Sequence, residues 1–350
     1  MAKQSHIYKD IGGQAVMEGV MMQSPQDESV AIAVRRPDGK IYVTCEHREP
    51  LSKKHPWMGI PFIRGCVNMV VMLAMGMQTL DKGTRMLGIL EEEPTKFEKW
   101  LAKKFGANID KVVMSVAMVA AVALSLFLFV AIPSAGATLL SRAVDNRLLV
   151  NLFSGVLRIA ILIGYMAVIS RVPDIRRVFQ YHGAEHKTVY CNEADLPLTP
   201  ENARKFPRLH PRCGTAFLFL VMFISILVGS VADQLLFLLF GIEKLTFLGR
   251  LLRSLLIIPF ITGISYEVLK GLAHAGDAPI VRALRWPGLM MQYLTTREPD
   301  DAMLEVAIAS MKAAKAGAAR YAAEADPGVC IWNEAEEPEK PEAASAGAAG

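Results

Sequence analysis

Two short stretches carry the residue types that do chemistry: YHGAEHKTVYC, beginning at Tyr181, and RLHPRCGT, beginning at Arg208. His182 and His186 are four residues apart, a spacing that on a helix puts both imidazoles on one face a turn apart and lets them bind one zinc ion. Glu185 completes H-x-x-E-H, the order in which inverted zinc peptidases place two ligands and a general base. His210 and Cys213, three apart across Pro211, offer one nitrogen and one sulfur in a turn-like presentation. His182, His186, His210 and Cys213 together would make a full tetrahedral set and a structural metal site. If one position stays open to water, Glu185 acts as base and the site is hydrolytic. The spacing leaves both readings open. Seven histidines will sometimes fall four apart without any function, but here three of them and two of the five cysteines gather in one segment. Cys191 is a spare ligand or a small buried residue.

The elements that must position these residues follow from composition. Half of the chain is apolar, and that half is collected in long uncharged runs, more than a soluble core needs, so a bilayer is the expected solvent. A net charge of +4 lacks the dense basic stripe of nucleic-acid binding, which is set aside. An odd number of irregularly spaced cysteines argues against a disulfide framework. The opening MAKQSHIYKDIGG has no apolar stretch behind its charges, so no cleavable signal peptide is expected. Residues 112–140, 148–170, 215–240 and 251–270 are long enough to span a bilayer, whereas 66–80, interrupted by Asn68 and Gln78, reads as an interfacial or packed helix. Basic residues cluster before the first span (Lys96, Lys99, Lys103, Lys104, Lys111) and between the second and third (among them Arg171, Arg176, Arg177, Arg204, Arg208, Arg212). The positive-inside rule then puts both termini and the His/Cys loop on the cytoplasmic side of the membrane.

Residues 29–35 and 40–46 flank the turn Pro37-Asp38-Gly39 and predict a β ribbon. Pro299-Asp300-Asp301 caps a helix whose apolar face is Met303, Val306, Ala307 and Met311. Arg158, alone in the second span, needs a partner, and by depth Glu267 lies closer than Asp233. The glycine-rich run from Gly12 to Met22 is no phosphate loop. It reads either as a packing segment or as one that brings Glu18 over to the metal as a fourth ligand or a partner of the ligands.

The blocks GGQAVMEGVMM, AVRRPDG, HGAEHKTVY, LTPENARKFPRLHPRCGT, GISYE and PGLMMQYLTTREPDD occur in the order found in the bacterial YqhQ-like family of membrane proteins, which the chain resembles over residues 10 to 310. That family is built on a domain of unknown function that has been labelled a predicted metal-dependent enzyme, so the resemblance implies metal chemistry at the same His, Glu and Cys residues.

The expected fold is mostly α and polytopic: a bundle of about four transmembrane helices with a small cytoplasmic α+β module. Its parts are a β-ribbon segment (1–60), an interfacial helical segment (61–111), a first transmembrane hairpin (112–170), the His/Cys loop (171–214), a second hairpin (215–270), a cytoplasmic helical segment (271–324) and a solvated tail (325–350). The expected function is zinc binding by His182, His186, His210 and Cys213, with Glu185 as catalytic base of a hydrolase acting on a membrane-proximal peptide or lipid-linked substrate. The alternative is a non-enzymatic scaffold or membrane-protein assembly factor with a structural metal. The lipid bilayer and other membrane proteins are the expected partners.

Overall fold

A computed structural model describes residues 11–49, 53, 55–88, 109–242, 244–275, 278–318, 321 and 329–332. The expected segments at 1–10 and 89–108, and most of the tail, lie outside the described residues. The chain forms a meander of β1 (Gly12–Val16), β2 (Gly19–Ser24), β3 (Ser29–Arg35) and β4 (Ile41–His47), followed by α1 (Ile63–Leu87). α2 (Ile109–Leu126) runs through a π turn (Phe127–Ala131) into α3 (Ile132–Ala143), and α4 (Arg147–Ile169) follows. α5 (Pro173–Glu193) and the short α6 (Pro200–Ala203) make up the His/Cys segment. Then come α7 (Thr215–Phe240), α8 (Phe247–Leu256), α9 (Ile258–His274), α10 (Pro279–Thr295), α11 (Asp301–Ala316) and β5 (Val329–Ile331).

The β3/β4 hairpin stands where its turn predicts it, with Arg35 opposite Ile41. The preceding glycine-rich run, with no strand expected in it, forms a second hairpin, β1/β2, with Val16 opposite Gly19 and Glu18 in the turn at φ +50°. Within the stretch expected to be a solvated tail, β5 pairs in parallel with β4, and Trp332 after it is buried. One face of the sheet buries Val20, Met22, Ala31, Ala33 and Val43 with Tyr181 and Ala184 of α5 and Val306, Ala307 and Met311 of α11. The other buries Val16, Met21, Val30, Ile32 and Val34 with Met75, Met86 and Leu87 of α1 and with Trp332. A sheet covered on both sides needs apolar residues on both, which explains the near-continuous burial of β2 and β3. α11 starts where its cap predicts: Asp300 Oδ1 accepts from the Met303 N–H at 2.8 Å.

Among the described residues four helices are long and apolar enough to cross a membrane: Ile63–Leu87, Ser115–Ala143, Arg147–Ile169 and Phe217–Phe240. They leave large apolar side chains such as Val119, Phe127, Val168 and Leu238 mostly exposed, a surface suited to hydrocarbon and not to water. The number agrees with expectation, but the membership differs. Residues 66–80 sit inside the 25-residue α1, which continues past Asp81 to Leu87, with Arg85 paired to that carboxylate one turn on. α1 also packs, as expected of it, binding α9 through Asn68 Nδ2 and Tyr266 Oη at 2.7 Å and covering the sheet with its last turns. The fourth expected span is broken: α8 and α9 meet at 46°, and up to five spans result if this pair counts as one. Pro259 lies one residue beyond the break, where a proline both lacks an N–H and clashes with the preceding turn.

Glu267 does not reach Arg158. Its carboxylate accepts from Arg64 Nε at 2.7 Å and from the Phe62 N–H at 3.1 Å, fastening α1 to α9. Asp233 is taken by Arg253.

α5 lies close to the strand-like segment that follows α10. The Arg297 N–H donates to Phe179 O at 2.7 Å, and a Cβ on Gly183 would come 2.0 Å from Arg297 O. Backbone cannot yield as a side chain does, so Gly183→Ala is expected to cost about 2–3 kcal/mol and lower the thermal unfolding midpoint in detergent. Gly164→Ala, where nothing lies within 4 Å of the added methyl, should leave that midpoint unchanged or raise it.

Candidate metal centre

The segment expected as a loop is largely helix. Pro173 opens α5 at a position where its missing N–H is no loss, and Asp174 favours the positive end of the helix dipole. The helix is polar in sequence yet buried over most of its last three turns, a combination that is stable only if its polar atoms find partners. They find the carbonyls of the returning chain. Lys187 Nζ donates to Arg204 O and Phe206 O at 3.2 and 2.8 Å, Tyr190 Oη donates to Leu209 O at 3.0 Å, and His186 Nδ1 lies 2.5 Å from Arg208 O. These bonds wrap residues 204–210 along α5 and bring Cys213 over the two histidines.

His182 Nε2 lies 3.2 Å from Cys213 Sγ, and one ligand atom each from His182, His186 and Cys213 can be chosen so that all lie within 4.8 Å of one another. Tetrahedral zinc with bonds of about 2.0–2.3 Å separates its ligands by roughly 3.3–3.8 Å, so small side-chain rotations close this group on an ion. The tautomers fit as well. His182 Nδ1 is 2.8 Å from Thr295 O, and a carbonyl can only accept, so in both histidines Nδ1 carries the proton and Nε2 keeps its lone pair. Metal-binding histidines are commonly held in this way. His186 Nε2 is buried and makes no hydrogen bond of good geometry among the described residues. Burial depresses the His186 pKa, which keeps the ring neutral and able to ligate.

His210 is placed differently. The Arg212 N–H donates to His210 Nδ1 at 3.3 Å, so the neutral ring carries its proton on Nε2 and has no free lone pair to give a metal. That nitrogen is buried, 3.3 Å from Glu193 Oε1 but at an angle that makes no hydrogen bond. Gln292 clamps the His210 backbone, accepting its N–H and donating to its carbonyl at 2.7 Å each. Cys191 is buried in the main core, away from the ligand group.

Glu185 is 5% exposed, with Oε2 at 3.5 Å from His186 Nε2 and 3.9 Å from His182 Nε2. Burial raises its pKa, against the pull of His182, of His210 and of a hydrogen bond from the Gly13 N–H. The close approach that allows this bond requires glycine at position 13: a Cβ there would come 2.4 Å from Met21 O and 3.0 Å from Glu185 Cγ. Glu18 is not a ligand. Both its oxygens are held by Arg177, and Tyr181 Oη lies 3.2 Å from one of them. A cavity of about 270 Å³ opens beside the group, bordered by Ile11, Gly13, Glu185, His186, His210 and Cys213.

Sequence reasoning missed Gln292, Thr295 and Gly13. The first two stand more than 80 residues from the histidines they hold, and only the quoted block PGLMMQYLTTREPDD marked them at all. If the geometry describes a metal centre, zinc retained by purified protein at about one ion per chain is expected to be lost from His186→Ala and Cys213→Ala and kept by His210→Ala, as read by elemental analysis.

Comparison with known proteins places the chain in a family. The sequence model of the family described as "Protein of unknown function (DUF1385)" matches residues 60–316, a range that holds His182, Glu185, His186, His210 and Cys213. The chain is also similar to the "Uncharacterized protein YqhQ" of Bacillus subtilis (strain 168), 33% identical over 301 residues that cover 85% of this chain and 90% of that protein. No solved structure matches. The chain therefore belongs to the YqhQ-like, DUF1385 family of proteins of unknown function.

Proposed function

We propose that the chain is a multi-pass protein of the bacterial inner membrane, with a zinc ion held by His182, His186 and Cys213 at its cytoplasmic face, and that it is a hydrolase. The observation that carries this reading is the pairing of Nδ1 in both helix histidines with backbone carbonyls, which turns two unprotonated Nε2 atoms toward Cys213 Sγ beside a cavity. Three ligands and an adjoining space are the pattern of a catalytic site, whereas a structural site closes with four protein ligands. Zinc bound there would supply a Lewis acid that polarises a carbonyl or phosphoryl group and acidifies water.

The remaining roles belong to side chains. Glu185 faces the space between the two histidines, and burial raises its pKa, which makes it a better proton acceptor than an ordinary carboxylate. It takes the proton of the attacking water and passes it to the leaving group. His210, with its proton on Nε2 and its ring on the cavity wall, donates a hydrogen bond to the oxygen that gains charge. The location at the mouth of α7 suits a peptide or lipid-linked substrate presented at the membrane surface.

Cobalt-substituted protein provides the test. Acetohydroxamate, which chelates an open coordination position, is expected to change the visible cobalt spectrum of the wild type and of Glu185→Gln. An unchanged spectrum at saturating acetohydroxamate would mean a closed, structural site and would favour the assembly-factor role. With a hydrolysable substrate in hand, Glu185→Gln should lower turnover by roughly 10²–10⁴-fold while keeping its metal. Loss of metal from that variant would make Glu185 a ligand and remove it as the base.

A further inference from the structure

The sheet runs in the order β1-β2-β3-β4-β5, so among the described residues β1 is an edge strand with a neighbour on one side alone. The Gly13 N–H donates to Glu185 and so lies outside the ladder with β2. In an antiparallel pair the N–H and C=O of one residue point to the same side, and the side alternates along the strand. Gly13 O and both backbone groups of Ala15 therefore face outward with the Gly13 N–H. Among the described residues, neither Gly13 nor Ala15 makes a backbone hydrogen bond outside the sheet. Such an edge is a template for a further strand, and charge or proline commonly guards it. β1, with the sequence GGQAV, has neither.

This edge opens on the candidate metal centre. Ile11, Gly12 and Gly13 border the same cavity of about 270 Å³ as Glu185, His186 and Cys213. Gly12 and Gly13 are both exposed, and a Cβ on Gly12 would meet nothing within 4 Å, so crowding inside the fold does not account for a glycine at position 12. Glycine weakens a strand, and where it is kept it often marks the close approach of another backbone or a ligand. The Gly13 N–H also ties the edge directly to the carboxylate placed between the two histidines.

We propose that β1 is the docking edge for an extended polypeptide, which pairs with residues 13–15 as a further strand and carries its backbone across the cavity at His186 and Cys213. Strand addition of this kind draws its affinity from main-chain hydrogen bonds, so it suits a polypeptide of varied sequence. The inference rests on the hydrolase reading and narrows its substrate to a peptide, because a lipid chain has no repeating amides to match the edge. The bond broken is then an amide. The water oxygen joins the carbonyl carbon, the C–N bond breaks, and the proton taken up by Glu185 passes to the amine that leaves.

The experiment uses the full chain in a neutral detergent and a randomised decapeptide pool, blocked at both ends and carrying a benzophenone photo-cross-linker, with zinc content read on the same samples. A second pool is N-methylated at every backbone amide, which leaves it no N–H with which to extend a sheet. Cross-links to residues 11–16 are expected with the first pool and roughly tenfold fewer with the second, the loss that one or two backbone hydrogen bonds bring. Ala15→Pro removes an outward N–H, a change that edge strands accept, and should cut the cross-links about as much while zinc stays bound. The methylated pool needs no variant, so it decides the matter if the proline chain does not fold. Equal labelling by the two pools, or undiminished labelling of folded Ala15→Pro, would overturn the proposal. No labelling of zinc-loaded protein would overturn it too, leaving the metal centre standing and returning the substrate to the lipid-linked class. Labelling of residues 11–16 in protein that holds no zinc would support the docking edge and remove the hydrolase instead. A dimer that Ala15→Pro dissolves, with no labelling, would give the edge to a second copy and equally overturn the proposal.

Discussion

Two backbone carbonyls, Thr295 O and Arg208 O, set the chemistry of the His/Cys segment by taking the Nδ1 protons of His182 and His186. Thr295 ends α10 and Arg208 belongs to the chain that returns along α5, so the site exists only when these pieces are assembled. Each piece is secured by its own polar contacts: Gln292 on the His210 backbone, Lys187 on Arg204 O and Phe206 O, Arg297 on Phe179 O. Removing one such partner leaves a buried donor or acceptor unsatisfied, at a cost of about 1–3 kcal/mol each. The polar face of α5 is thus stable because the surrounding backbone was left with carbonyls to satisfy.

The same accounting reads differently among the apolar helices. There the polar atoms are few, and most are matched: Glu267 with Arg64, Asp233 with Arg253. Arg158 and Arg250 stand out because their neighbours are hydroxyls or a cavity.

Local patterns were legible where one element alone decides the outcome. The four-residue histidine spacing, the Pro37-Asp38-Gly39 turn, the Asp300 cap and the apolar face of α11 are all contained in a few consecutive residues, and each appears where its pattern puts it. Features that depend on a second element were not legible. His210 has the residue type and spacing of a ligand, yet its lone pair is claimed by the Arg212 N–H, a contact that no spacing rule reports. By depth Glu267 lies closer to Arg158 than Asp233 does, yet its carboxylate is taken by Arg64 at the start of α1, a helix that runs on past Asp81 to Leu87. The reason for Gly13, the close approach to Glu185, lies about 170 residues away, so the glycine-rich run does not show it in sequence. β5 was hidden in a tail whose average composition outweighed Val329, Cys330 and Ile331.

The central claim is the identity of the ligand set, and X-ray absorption on zinc-loaded protein addresses it most directly. The account predicts one sulfur at about 2.3 Å and two histidine nitrogens at about 2.0–2.1 Å, with a further light atom completing a four-coordinate shell. A shell with two sulfurs, a third histidine in place of the light atom, or no bound zinc in folded protein would contradict it.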